Sequence, residues 1–319
     1  MRQRPRLLVN GKLPQPGLEA RLAEAYDLHR LHDEPDRTGF LAARGADFDA
    51  LVTSAPVGAD AALIDALPNL KVIAGFGVGF DKVDQAAALR RGVKVSNTPD
   101  VLNDCVADLA FALLLDVARG VSAADRFVRR GDWLNGRFPI TTRASGKRLG
   151  ILGMGRIGST VAERASGFGM TVGYCNRQPV AGLGFTYHAS PVELARWCDF
   201  LVITTAGGAG TRHLVDAAVL EALGPQGFLV NVARGSVVDE DALVRALAGK
   251  RIAGAGLDVF ADEPRVPAAL MALDNVVLAP HMASGTEETR AAMADLVVDN
   301  LQRFFATGTL ATPVPWSPA

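Results

Sequence analysis

The sequence predicts an α/β protein built from two doubly wound parallel sheets, and three observations carry that expectation. Short β-branched or apolar runs alternate with Ala/Leu-rich helical stretches over residues 6–97, and a second, longer alternation of the same kind begins near residue 149. The chain has 319 residues, 49% apolar and 21% charged, which is ordinary globular composition and length for about two domains. Parallel strands need a crossover connection, usually a helix, so the alternation favours parallel sheets over hairpins.

In chain order, Arg6–Val9, Phe48–Thr53, Lys71–Ala74 and Val93–Ser96 read as strands, with Ala59–Ala66 and Gln85–Arg91 as helices between them. After Asn97-Thr98-Pro99, the segment Asp100–Arg119 carries apolar residues nearly all the way round, the pattern of a helix buried between two bodies. Leu149–Leu152, Thr171–Tyr174, Phe200–Thr204, Phe228–Asn231, Ile252–Leu257 and Val276–Leu278 then supply six strands, enough for a full dinucleotide-binding sheet. Gly285–Ala306 reads as a helix with Leu296, Val297, Leu301, Phe304 and Phe305 on its apolar face. It is too short for a domain and is expected to pack back on the first one. The expected division is therefore 1–98 with 285–319, and 99–284, with Thr312–Ala319 as a loose end.

Charge and patterning exclude several function classes. Thirty-three Lys and Arg against 34 Asp and Glu leave a formal net charge of −1, so there is no broad basic field for nucleic acid or anionic lipid. The longest apolar run, Leu109–Leu115, falls short of the roughly 18 residues of a membrane span. Met1–Arg6 leads into only Leu7, Leu8 and Val9, too few for a signal-peptide core, so a cytoplasmic protein is expected. Cys105, Cys175 and Cys198 show neither a CxxC pair nor zinc spacing; they read as reduced packing residues, and no metal site is suggested.

The strand Leu149–Leu152 runs directly into Gly153-Met154-Gly155-Arg156-Ile157-Gly158 and then the helical composition of Ser159–Ser166. The first glycine allows a tight turn, the second lets the backbone approach a pyrophosphate, and the third lets helix and strand pack closely. The phosphates would sit on free amides at the helix N-terminus. Eighteen residues past Gly158, where an NAD-selective site usually carries Asp or Glu, stand Asn176 and Arg177. Asn176 can bond a ribose or phosphate oxygen and Arg177 offers a planar fork for a 2′-phosphate, although a solvated loop charge is the plainer reading of Arg177. NADPH is the expected cofactor, with NADH possible.

Three further residues stand at strand ends, where ligands bind in open α/β sheets: Arg234, Glu263 and His281. Each alone has a structural reading, as a loop-carbonyl donor, a turn carboxylate before proline, and a buried neutral histidine. Together with the fingerprint, the stretches Gly75–Asp81, Asn97–Asp100, Val106–Ala110, Thr211–His213, Asn231–Ser236, Gly256–Phe260 and Pro280-His281 resemble the D-isomer-specific 2-hydroxyacid dehydrogenase family over nearly the whole chain. The likeness is greatest to its glyoxylate/hydroxypyruvate reductases and hydroxyphenylpyruvate reductases.

That resemblance implies a Rossmann cofactor domain inserted in a flavodoxin-like substrate domain, and a small 2-oxoacid as substrate. It gives Arg234 the substrate carboxylate and carbonyl, His281 the role of general acid/base, and Glu263 that of orienting the imidazole and favouring its cationic form. Ser54 and the amides of Val78 and Gly79 would grip the carboxylate, closure of a cleft completing the site, and Ser284 lies where the family's loop approaches the substrate. Arg156 and Ile157 would face the pyrophosphate, Thr205, Val232 and Ala233 would line the nucleotide, and Asp258 would bond the nicotinamide carboxamide. The segment 204–210 lacks the family's proline, so nucleotide contacts there are open. The family usually forms a homodimer around 122–142, where Phe127, Trp133 and Phe138 offer anchors, and Trp197 reads as packing. Three alternatives remain. They are a nucleotide-sensing corepressor on the same fold, a hydroxyphenylpyruvate reductase, and a phosphoglycerate dehydrogenase; formate dehydrogenase is disfavoured by a glutamate at 263.

Overall fold

Short runs of apolar residues with no polar face are satisfied as strands covered on both sides, and that is how the first sheet forms in the computed structural model, which describes residues 4–318. The expectation drawn from Met1–Arg6 falls partly on residues 1–3, outside the described residues. The chain divides into two compact units, 1–102 with 285–319, and 103–284. The crossing from one to the other thus lies at Leu102/Asn103 and not at 98/99.

In the first unit the elements run β1 (Arg6–Asn10), α1 (Leu18–Ala25), β2 (Asp27–Arg30), α2 (Arg37–Arg44), β3 (Ala50–Ser54), α3 (Ala61–Asp65), β4 (Val72–Phe76), α4 (Gln85–Arg91) and β5 (Lys94–Ser96). The strands are all parallel in the order β2-β1-β3-β4-β5. Reversal of strand order between β1 and β3 leaves a crevice beyond their carboxyl ends, where Asn10 and Ser54 stand. Leu8, Leu51, Ile64, Leu67 and Ile73 are fully buried in this unit's core. Asp60 and Asp84 cap α3 and α4 by accepting from Leu63 N and Ala87 N.

The second unit runs α5 (Asn103–Arg119), α6 (Val121–Arg129), β6 (Arg148–Leu152), α7 (Arg156–Ser166), β7 (Thr171–Cys175), β8 (Thr186–Tyr187), α8 (Pro191–Trp197), β9 (Phe200–Ile203), α9 (Ala217–Leu223), β10 (Phe228–Asn231), α10 (Glu240–Ala248), β11 (Gly254–Leu257), α11 (Ala268–Met271) and β12 (Val276–Leu278). Seven parallel strands lie in the order β12-β11-β10-β9-β6-β7-β8, so the order reverses between β6 and β9. The expected six are joined by β8, two residues long. Helix α5 packs on β10 and β11. Close approach is possible because Gly256 lacks a side chain: a Cβ there would lie 2.8 Å from Leu113 Cβ.

The chain then returns to the first unit as α12 (Glu287–Thr307), which packs on β4 and α1. Its tail is not the loose end expected. Val314 N donates to Val95 O at 3.0 Å, Val95 N donates to Ser317 Oγ at 2.9 Å, and Val314 is buried. The Pro313 and Val314 positions thereby add a short antiparallel segment beside β5, which polar Thr- and Pro-rich composition hid. Among the described residues no helix is long and apolar enough to cross a membrane.

Candidate active site

The turn after β6 is shaped by its glycines. Gly153 adopts φ +107°, and a Cβ there would sit 2.6 Å from Thr205 N. At Gly158 a Cβ would lie 2.3 Å from Gly153 O, so only glycine lets α7 start this close to the strand. Gly155 differs, with nothing within 4 Å of its would-be Cβ, and it precedes α7 without a side-chain cap. The space beyond Gly155 is open and faces the first amides of α7, which fits a pyrophosphate. Arg156 is exposed and Ile157 half-buried in that first turn. Thr204, which the sequence reading passed over, donates its hydroxyl to Gly153 O at 2.7 Å and ties the turn to β9. Thr205 contributes the backbone packed on Gly153.

Asn176 Oδ1 accepts from Met154 N at 2.7 Å and its Nδ2 donates to Met154 O at 3.3 Å. It clamps the glycine turn to the end of β7, with the second Nδ2 hydrogen and a second Oδ1 lone pair remaining. Arg177 beside it is exposed and forms no ion pair among the described residues. Val232 and Ala233, expected along the nucleotide, are buried at the end of β10.

The three strand-end residues come together through Glu263. Its Oε2 lies 2.6 Å from His281 Nδ1 and its Oε1 accepts from Phe260 N at 3.0 Å. Burial opposes the charge on Glu263, but the His281 hydrogen bond, the Phe260 amide and the nearby positive charges of His281 and Arg234 outweigh it and hold the carboxyl below its ordinary value. An ionised carboxylate only accepts, so Nδ1 carries the hydrogen and Nε2 is the ring nitrogen left for a ligand. His281 keeps about a third of its side chain exposed.

Asp258 holds the histidine's backbone in place. It is fully buried, accepts from Met282 N at 2.7 Å and Ala283 N at 3.0 Å, and its carbonyl accepts from His281 N at 2.8 Å. The carboxylate thus fixes the backbone at His281, whose φ of 50° lies in the left-handed region. Burial is the main influence on this carboxyl and raises its pKa. Ser284, half-buried, follows directly.

Arg234 is fixed by a residue the sequence reading did not single out. Asn231 accepts from Ala233 N at 3.0 Å and donates to Arg234 O at 3.0 Å, an Asx-type turn that an asparagine at a strand end could have signalled. A Cβ on Gly235 would fall 1.9 Å from Phe260 C, so the loops after β10 and β11 touch here and bring the guanidinium to the Glu263 side. Arg234 Nη1 donates to Ala233 O at 2.8 Å.

In the first unit, Ser54 is buried at the end of β3, and with Gly79 it lines a recess of about 10 Å³, room for one water. Val78 and Gly79 are half-buried in the loop after β4. Asn97 Nδ2 donates to Val78 O at 2.8 Å, and Thr98 exchanges two bonds with Gly77.

Residues 111–283 match the family described as D-isomer specific 2-hydroxyacid dehydrogenase, NAD binding domain. A hydroxyphenylpyruvate reductase of Plectranthus scutellarioides is 49% identical over 297 residues, 93% of this chain and 95% of that protein. A glyoxylate/hydroxypyruvate reductase A of Arabidopsis thaliana is 45% identical over the same shares. Among solved structures, the NADPH-dependent glyoxylate/hydroxypyruvate reductase of Sinorhizobium meliloti in complex with NADP and malonate superposes with a TM-score of 0.91 at 44% identity, covering 99% of this chain and 98% of that one.

Proposed function

The chain belongs to the D-isomer specific 2-hydroxyacid dehydrogenases, a family of oxidoreductases, and from that membership we propose that it is an NADPH-preferring reductase of small 2-oxoacids, glyoxylate and hydroxypyruvate foremost, giving D-2-hydroxyacids. The observation that carries the reading is the Glu263–His281 pair, which engages Nδ1 and leaves Nε2 for a substrate oxygen.

When bound, reduced nicotinamide supplies the hydride that reduces C2 of the oxoacid. The chain's own residues do the rest. The Arg234 guanidinium binds the substrate carboxylate and carbonyl oxygen and stabilises the charge that grows on the latter. His281 delivers the Nε2 proton to that oxygen and recovers it in the reverse direction. Glu263 accepts from Nδ1 throughout, fixing the ring and offsetting its charge. The amides of Val78 and Gly79, with Ser54, are assigned to the substrate carboxylate. Gly153, Gly155 and Gly158 with the start of α7 hold the pyrophosphate.

The preference for NADPH is supported by a neutral Asn176 where a carboxylate would repel a 2′-phosphate, beside an exposed Arg177. A homodimer is proposed through the 121–142 face, where Val121, Val128, Trp133, Leu134 and Ile140 are exposed. Cys175 and Cys198 are buried thiols, which suits a reducing cytoplasmic setting. The test is an oxidation panel in which glyoxylate, hydroxypyruvate, pyruvate, phenylpyruvate and 4-hydroxyphenylpyruvate are offered with NADPH and again with NADH. The highest kcat/KM is expected for glyoxylate or hydroxypyruvate with NADPH; equal or better use of NADH, or a preference for the aromatic acids, overturns the corresponding part.

A further inference from the structure

The C-terminal tail reaches the loop Gly77–Phe80 by two independent routes. On the first, Asn300, fully buried in α12, accepts from Ala311 N and Thr312 N at 3.0 Å each and donates to Thr312 Oγ1 at 2.8 Å. Thr312 Oγ1 donates in turn to Asn97 O at 2.6 Å, and Thr312 O accepts from Asn97 N at 3.2 Å. Asn97, buried and held on both backbone groups, donates its side chain to Val78 O. On the second route, the Trp316 ring meets Phe80 edge-on, with centroids 6.1 Å apart at 75°. The loop is therefore held at Val78 from one side and at Phe80 from the other, with Gly79 between.

Such holding matters because a glycine-rich loop has little packing of its own. Gly77 adopts φ +137°, and its neighbour Ala55 lies 2.6 Å from where a Cβ would be, so the turn is tight yet carries almost no side chain. Donor amides help a bound anion only if their direction is set in advance, and here that direction comes from a segment more than two hundred residues away in sequence.

We propose that Thr312 and Trp316 are positioning residues for the oxoacid carboxylate, setting through Asn97 and Phe80 the orientation of the Val78 and Gly79 amides. This rests on the assignment of those amides to the substrate, and its test separates the two. Thr312→Val deletes the hydroxyl at nearly constant volume, and Trp316→Ala removes the aromatic contact; Thr312→Ser and Trp316→Phe are the conservative counterparts.

Deuterium uptake in a peptide spanning 75–82 is expected to rise in both disruptive variants and not in one spanning 147–160. KM for glyoxylate is expected to rise about five-fold or more, with kcat and the Kd for NADPH within about two-fold of wild type and both effects reversed in the conservative variants. If Thr312→Val does not fold, Trp316→Ala carries the same readouts. Unchanged uptake at 75–82 overturns the tail's role. Raised uptake with unchanged KM removes the loop from carboxylate binding and the inference with it. A parallel loss of kcat, cofactor binding and Tm marks general destabilisation and also overturns it.

Discussion

At the scale of single residues, the proposed acid/base role falls on one imidazole, whose Nδ1 lies 2.6 Å from Glu263 Oε2. His281→Gln is expected to lower kcat by about 10²–10⁴-fold while leaving the Kd for NADPH near wild type, as steady-state kinetics and fluorescence titration would show. Glu263 adds a dependence on pH. Its carboxyl is held below the usual value of 4.5 by the histidine hydrogen bond and neighbouring charge, which overcome burial. A depressed carboxyl stabilises the fold above the unfolded-state value and loses that contribution as pH falls through the folded-state value. The Tm difference between wild type and Glu263→Gln should therefore be greatest at neutral pH and shrink below about pH 4.5, the ordinary value from which the shift is measured; a gap that widens in acid contradicts the pairing. The resemblance, and not any one of the three residues alone, led to the expectation that Glu263 pairs with His281, and the two side chains do meet at 2.6 Å. Asn176 was placed by its spacing after the glycine turn and Asp258 by likeness, and the partners of neither were legible. What a buried amide or carboxylate bonds depends on which backbone folds over it, here Met154 and Met282–Ala283, each more than twenty residues away in sequence.

At the scale of elements, the strand–turn–helix of the cofactor unit makes a differential prediction about its glycines. Gly158→Ala forces a Cβ to 2.3 Å from Gly153 O and should cost about 1–3 kcal/mol of stability through overpacking. Gly155→Ala meets nothing within 4 Å and should leave Tm unchanged while weakening NADPH binding, because the added methyl occupies the approach to α7. Equal Tm losses in the two variants, read by calorimetry, would remove Gly155 from the phosphate site. The turn was readable from spacing, since each glycine answers a separate steric demand. Central strands were readable too, being apolar on both faces. The edge strand β2, Asp27–Arg30, was not, because an edge carries polar side chains and shows no apolar run, and β8 is too short to show any period.

At the scale of the whole molecule, the exposed apolar residues of 121–142 predict self-association. Trp133 is 68% exposed and Leu134 91% exposed, which a monomer in water has little reason to keep. Light scattering should give about twice the chain mass of 33.5 kDa, and Trp133→Asp combined with Ile140→Asp should return it to the monomer value. Two sheets and an inserted unit were legible from the two alternations and the return helix; the crossing at Leu102 was not, since nothing in its composition marks it.

The split of the first unit into 1–102 and 285–319 also sets an order of assembly. During synthesis the earliest residues to emerge must wait for α12 and the pinned tail, while the continuous insert can close its own core as soon as residue 284 has cleared the ribosome. A chain stopped at residue 284 should accordingly hold NADPH on a protease-resistant fragment beginning near residue 103, its leading hundred residues being digested. The half translated first is thus the half completed last.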